Sequence, residues 1–326
     1  MIGFITSKEE LKTSKRILMK DTAGVETKYL ININPESFTA LAVGSVAEVT
    51  TEGDWKGIPI IIDLHVLTGL EQADPRYNEY ELLMKMYGPK EVPKFKEVLN
   101  KMIDFVNETP DQSNIDYKPR YLEYTSFSKA FSNFMTDDVL SPEIGENGET
   151  VYTVKTISRL MDFLNCPAST IYHDSQKGGL VRHIAKMVSL TIQMCKSEFN
   201  QYELHPLTLM LSVLVHDIGK IDQYQLKPTG GYEVTEHSNY RGSHIGMGLE
   251  RWARNGRKFL LEIGIIPQDV ENMYWDIWHI IGSHHGPVKN EMGSAWNPFG
   301  HDAWTIHSVD LLESRQEEVM KPVRKE

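Results

Sequence analysis

The hydrophobic period of this chain changes partway along, and that change limits the fold more than any other feature. In the first ~70 residues the period is that of a strand. Ile58, Ile60, Ile62, Leu64 and Val66 alternate with their neighbours, as one face of a half-buried strand does. Residues 15–20 and 25–33 flank the turn-like Asp21-Thr22-Ala23-Gly24, and 45–51 and 58–67 flank Glu52-Gly53-Asp54-Trp55-Lys56-Gly57, a polar, glycine-containing hairpin loop. Four such strands predict a small barrel or curled sheet. An OB-fold fits but has five strands, and the alternation does not mark a fifth. From about Thr153 the period is helical. Helices are expected over 156–164, 179–199, 206–218, 243–255, 267–283 and 301–318, with Pro206 and Pro267 suited to a first helical turn. Leu180, Ile184, Met187, Val188, Thr191 and Cys195 form one stripe at three- and four-residue steps. The expected fold class is α+β: a small OB-like β-domain over 1–74, a mixed connecting segment over 75–150 with a helix over 92–106, and an all-helical domain over 151–326.

Charge and composition narrow the function classes. Acidic residues outnumber basic ones by 45 to 34, a formal net charge of −11. That balance opposes indiscriminate nucleic-acid binding, which needs a basic footprint, but leaves room for a small nucleotide or a short strand held by a local site. Residues 1–74 carry 7 Lys/Arg against 11 Asp/Glu. The two cysteines, Cys166 and Cys195, form no CxxC pair, so a reducing compartment is the simpler expectation. No signal-peptide core opens the chain, and the apolar run 207–215 is far shorter than the ~20 residues of a membrane span. A cytoplasmic protein that does not span a membrane is expected, with oligomerisation left open.

The chemistry sits in the second half, where nine of the twelve histidines lie at or beyond position 205. Gly178-Gly179-Leu180-Val181-Arg182-His183 puts a histidine on the first turns of a helix. Val213-Leu214-Val215-His216-Asp217-Ile218-Gly219-Lys220 puts a His-Asp pair at the end of a very apolar one. Arg241-Gly242-Ser243-His244 opens another helix, Ser283-His284-His285-Gly286 closes the next, and Ser308-Val309-Asp310-Leu311-Leu312 sets a carboxylate in an apolar stripe. Imidazole with carboxylate suits divalent metals, and ligands on rigid helices fix geometry. With no cysteine among them, a closed structural zinc site is not expected. One isolated histidine is more often a packed core residue than a ligand. On that reading His65, His205, His237, His279 and His301 are surface or packing residues, His307 is structural, and Trp275 and Trp278 are core.

The ordered set of motifs resembles the HD superfamily of metal-dependent phosphohydrolases. It is most similar to the bacterial YhaM-type 3′→5′ exoribonucleases, which join an OB-fold to an HD domain. The resembling stretches are Tyr172-His173, Gly178-Gly179-Leu180, His183, Ser283-His284-His285-Gly286, Glu291-Met292-Gly293-Ser294 and Ile306-His307-Ser308-Val309-Asp310-Leu311-Leu312-Glu313. In the first half only Ala42-Val43-Gly44-Ser45-Val46 is suggestive, and Asp174-Ser175-Gln176-Lys177 replaces the family's usual second histidine and aromatic. The resemblance implies metal ligation by His183, His216, Asp217, His244, His284 and Asp310, with two divalent ions sharing Asp217. Manganese is the first choice, then iron or magnesium. Lys220 is expected beside a bound phosphate, His285 as proton donor to the leaving oxygen, and His173 in the pocket. The expected substrate is the 3′ end of single-stranded RNA or DNA. The alternatives are a small nucleotide (a cyclic mononucleotide, a dinucleotide or a nucleoside triphosphate) and a non-catalytic nucleotide-sensing module. In the β-domain, Trp55, Tyr29 and Phe38 are candidates for stacking on bases, with core packing the preferred role for Phe38.

Overall fold

The computed structural model describes residues 1–10, 14–33, 38, 44–67, 73–88, 91–109, 121–145, 147, 149–170, 173–197, 204–226, 231–287 and 293–319. The readings above at 42–43, Tyr172, Phe199 and 291–292 lie outside them. The chain divides into two compact units, one built on Met1–Glu91 and the other on Val92–Tyr224 with Val234–Arg315. Residues 75–150 are therefore shared: α1 (Tyr77–Tyr87) falls in the first unit, while α2 (Phe95–Glu108) and α3 (Tyr124–Phe134) fall in the second.

In the first unit β1 (Ile2–Glu10), β2 (Lys15–Lys20), β3 (Glu26–Ile31), β4 (Val46–Trp55) and β5 (Ile58–Leu67) close into a barrel of order β1-β2-β3-β5-β4. β1 closes on β4, and β3 pairs parallel with β5; the barrel is OB-like. Its fifth strand, unmarked by alternation, is β1. A register shift between Ile5 and Ser7 breaks the two-residue period there, as an extra strand residue does. Ile5, Ile17, Met19, Tyr29, Phe38, Ala47, Val49 and Ile61 fill one core. Tyr29 and Phe38 are thus packing residues, while Trp55 is 49% exposed with the Lys56 ammonium 4.6 Å above its ring.

The second unit is assembled around α6 (Pro206–Val215), all ten residues of which are buried. A helix apolar on every side belongs at a centre, and α2, α5 (Gly179–Lys196) and α9 (Pro267–Ser283) pack on it. Phe127, Phe131, Phe134, Phe163, Phe259 and Trp252 form an aromatic wall with ring centroids 5.2–6.2 Å apart, mostly in the edge-on and tilted arrangements aromatic rings favour. The remaining helices are α4 (Leu160–Asn165), α7 (Lys220–Gln223), α8 (Ser243–Glu262) and α10 (His301–Val319). Among the described residues no helix is long and apolar enough to cross a membrane.

The expectation of an all-helical second domain is corrected. β6 (Thr136–Ile144) and β7 (Thr150–Ser158) form an antiparallel hairpin in unbroken register, so the helix expected from Thr156 begins only at Leu160. Most of the hairpin is exposed, leaving no buried stripe to set its period apart from a helix. A short pair, β8 (Tyr224–Leu226) and β9 (Tyr232–Val234), follows later in the chain. Trp275 is also not core: it is 53% exposed, whereas Trp278 packs half-buried against the core.

Candidate metal centre

Helix ends bring the candidate ligands together. His183 lies on the second turn of α5 and is fully buried. His216 caps the C-terminus of α6, and Asp217 follows it. His244 stands in the first turn of α8, entered through Gly242 and Ser243 at φ 72° and 61°. His284 caps α9, with His285 next, and Asp310 comes from α10. Gly219 lets two of these ends approach. A Cβ there would stand 1.9 Å from the His244 carbonyl oxygen, so any side chain would force α8 away from the His216-Asp217 turn.

The four predicted histidine ligands surround Asp217, and Asp310 joins them through His183. His183 Nε2 lies 3.3 Å from His216 Nε2, 3.5 Å from Asp217 Oδ2 and 3.3 Å from Asp310 Oδ1, and His216 Nε2 lies 3.2 Å from Asp217 Oδ2. The other oxygen, Asp217 Oδ1, lies 3.4 Å from His244 Nε2 and 3.6 Å from His284 Nε2. The ring of His285 centres 4.8 Å from that of His244 and 4.4 Å from that of His284. One carboxylate therefore faces two groups of donors, one oxygen to each.

The outer contacts orient these imidazoles the same way. His183 Nδ1 donates to Glu313, His216 Nδ1 to the Val213 carbonyl at 3.0 Å, His284 Nδ1 to the Ile281 carbonyl at 2.8 Å, and His244 Nδ1 to Gln223 Oε1 at 2.8 Å. Each Nε2 is left pointing inward, the arrangement that fixes the tautomer of a metal-ligating histidine. Asp217 Oδ1, His244 Nε2 and His284 Nε2 are buried with no hydrogen-bond partner, a state that costs free energy unless something satisfies it. These orphaned atoms and the nitrogen-and-oxygen donor set fit a divalent ion. His244–His284–His285 and His183–His216–Asp217 each present donor atoms within 4.8 Å of one another, and so does His173–His183–Glu313.

The electrostatics are those of a balanced buried cluster. Burial pushes the His183 pKa down, but hydrogen bonds to Asp310 and Glu313 outweigh it and raise the group to about 10. Burial pushes the Asp217 carboxyl up, yet the charges of Lys220 and His216 hold it well below the usual range. Glu313 is lowered to about 2, its bond from His183 overcoming burial. For His244 burial prevails and the group is held well below its ordinary value. His173 is lowered to about 4 by burial and then by the charge of His183.

Lys220 does not stand free for a phosphate. Its buried ammonium donates to Asp217 Oδ2 at 2.6 Å. His173 sits beside His183, ring centroids 5.2 Å apart, with a buried, unbonded Nε2. His307 backs the α9 turn by donating to the His284 carbonyl at 2.9 Å, and Gly286, at φ 92°, keeps room for its ring. His205 pairs with Asp302 at 2.8 Å, and His279 accepts from the Phe299 amide at 2.9 Å.

Sequence reasoning missed the carboxylates and cations behind the ligands. Glu313 bridges His183 to Lys186, Lys186 donates to Asp174 at 2.7 Å, and Arg182 also pairs with Asp174. The signal for Glu313 was its spacing: three residues beyond Asp310, it shares a helix face with it. Asp174 gave no such signal.

No protein-family model matches the chain, and no match was found among curated proteins or solved structures. The fold and site therefore define a class and nothing narrower: an OB-like barrel followed by a helical unit with a buried His/Asp cluster fit for metal.

Proposed function

We propose that this chain is an HD-type metal-dependent phosphohydrolase that cleaves phosphodiesters, with the 3′ end of single-stranded RNA or DNA as its leading substrate. The observation that carries the reading is Asp217, whose two oxygens face separate histidine groups at 3.2–3.6 Å. A pair of divalent ions supplies an activated water and neutralises charge on the phosphoryl oxygens when bound; manganese is the first choice, with iron or magnesium next. His183, His216 and Asp310 would hold one ion and His244 and His284 the other, with Asp217 available to both. Lys220 keeps Asp217 ionised and fixed in direction. His285, half-buried at the margin, is the proton donor to the leaving oxygen, and His173 lines the side near His183. Residues on five rigid helices give the positioning that such chemistry requires.

The nucleic-acid substrate is favoured by the OB-like barrel, whose general use is to bind oligonucleotides and oligosaccharides. A small nucleotide is the second reading. It is favoured by the burial of Tyr29 and Phe38 in the barrel core and by the acidic balance of residues 1–74, 7 Lys/Arg against 11 Asp/Glu.

The test is Asp217→Ala assayed beside the unaltered protein for metal content, hydrolysis of bis-p-nitrophenyl phosphate and shortening of a 5′-labelled oligonucleotide. Loss of metal and of both activities, with the helical circular dichroism intact, is expected. A folded variant with full metal occupancy would overturn the reading. Cleavage of small nucleotides without an oligonucleotide ladder would select the second substrate class.

A further inference from the structure

α7 is a single helical turn, Lys220–Gln223. One turn does not hold its own shape in water, because forming the first turn of a helix is unfavourable. Its placement comes from what touches it, and both of its ends serve the metal centre. Lys220 donates to Asp217, and Gln223 accepts from His244 Nδ1 at 2.8 Å. Asp222, beside Gln223, enters a separate charge cluster. Its Oδ1 lies 3.0 Å from Arg159 Nη1 and its Oδ2 3.4 Å from Arg251 Nη2, one guanidinium to each oxygen. The same two nitrogens donate to Asp137 Oδ2 at 2.9 and 2.8 Å. Thr235 completes the hold, its hydroxyl donating to the Asp222 carbonyl at 3.1 Å and its amide to the Gln223 carbonyl at 2.8 Å.

Arg251 is the costly member of the cluster. It is fully buried, and its Nε and Nη1 have no hydrogen-bond partner. A buried charge that is only partly satisfied is unfavourable, and packed apolar residues in place of a buried ion cluster are often as stable or more so. That cost points to placement as the cluster's role. Arg251 follows His244 by seven residues on α8, two turns on and on the same face. Two side-chain rungs therefore join α7 to α8, Asp222–Arg251 and Gln223–His244. The backbones also meet, since a Cβ at Gly219 would stand 2.5 Å from the Gly248 amide nitrogen.

We infer, on the metal centre proposed above, that Arg251 and Asp222 are positioning residues for the second ion. By clamping α7 they hold Gln223 against His244 Nδ1, which leaves His244 Nε2 as the donor facing Asp217. The other histidines take their orientation elsewhere: His183 Nδ1 donates to Glu313, His216 Nδ1 to the Val213 carbonyl and His284 Nδ1 to the Ile281 carbonyl. Loosening the clamp should reach His244 and leave those three as they are.

The test reads imidazole tautomers directly, by two-bond proton–nitrogen correlation spectra of the full chain labelled with 15N-histidine and kept in chelator. The His244 signal is identified by its loss in His244→Gln. In the unaltered protein His244 should be protonated at Nδ1. Arg251→Met and the isosteric Asp222→Asn should each shift it to a mixture of tautomers, with the signals of His183, His216 and His284 unchanged and the helical circular dichroism intact. Gln223→Ala should produce the same change, and Asp222→Asn/Gln223→Ala no further one, because both substitutions act on one bond. Calorimetric titration with manganese should then show one ion weakened about tenfold or more and the other unaffected. A folded Asp222→Asn protein in which His244 keeps its Nδ1 proton would overturn the inference, as would an equal change at all four histidines. An unaltered protein that binds no manganese would overturn the metal reading, while the tautomer comparison, made without metal, would still decide whether the clamp positions His244.

Discussion

The Lys220–Asp217 pair allows the buried cluster to be tested without any metal. Its Nζ–Oδ2 distance is 2.6 Å, and the two side chains are 8% and 3% exposed. Removing one partner of a buried pair strands the other, at about 3–5 kcal/mol. Asp217→Asn should cost about that much, because the ammonium then faces an amide in a site that excludes water. Lys220→Met should cost a similar amount, because the Lys220 charge is the main influence that keeps Asp217 ionised against burial. Removing both charges together is often nearly neutral, so the double variant should recover most of the roughly 6–10 kcal/mol to which the two single losses would add. The assay is guanidinium unfolding of the four proteins near neutral pH with excess chelator, followed by the helical signal. The pH matters for both partners. Lys220 is raised in the fold, since the Asp217 charge outweighs burial, so its contribution is complete below its unfolded pKa and is lost as pH rises through the folded one. Asp217 is depressed, so its contribution is complete above its unfolded pKa and is lost as pH falls. Neutral pH lies between those limits. Additivity within about 0.5 kcal/mol would show that the pair does not act as a unit and would refute the reasoning.

Two further outcomes follow from the shell around the site. Glu313→Gln removes the carboxylate that holds His183, and should weaken divalent-ion binding about 10–100-fold in a chelator competition assay without loss of helix; unchanged affinity would remove Glu313 from the positioning role. Asp137 is pushed up by burial but held below its usual range by the Arg251 hydrogen bond and the nearby arginine charges. Its stabilisation is therefore present above the unfolded carboxyl pKa and lost as pH falls through the folded one, so Asp137→Asn should flatten the decline in unfolding free energy below about pH 5; an equally steep acid limb would contradict this.

Elements were legible where a regular hydrophobic pattern runs up to a turn residue, although in β5 it is Ile61 and Leu67 that are buried, while Ile62 of the alternating set is 41% exposed. The alternation over Ile58–Leu67 and the proline opening Pro267–Ser283 gave both spans as the structure has them. β1 escaped because its register shift at Ile5 and Ser7 breaks the pattern that would have identified it. β7 was read in part as helix because, exposed on nearly every residue, it lacks the buried stripe on which a periodicity argument depends. Its β-branched Thr, Val and Ile residues carried the correct propensity, but propensity is a weak signal without burial.

Most of the candidate ligands were legible for a different reason: they sit at or near helix ends. His216 and His284 are both C-caps, and His244 stands in a first turn. At an end the backbone changes direction, so these three ligands lie beside a glycine or an unusual backbone angle, such as Gly219, Gly286 or Gly242-Ser243, and become short recognisable strings, whereas Asp310 lies in the middle of α10. Asp174, though at a positive φ of 45°, has no glycine beside it, and Lys186 and Glu313 lack that punctuation altogether. They are joined to His183 only through space, across 9, 3 and 130 positions of chain, and a mid-helix lysine or glutamate reads in sequence as a solvated face. What marks them is the charge balance of the closed site: Asp174, Asp217, Asp310 and Glu313 against Arg182, Lys186, Lys220 and a His183 raised to about 10. A cluster of that kind is held together by pairing, so the residues around the ligands are set by the need to neutralise charge, which leaves no local pattern in the sequence.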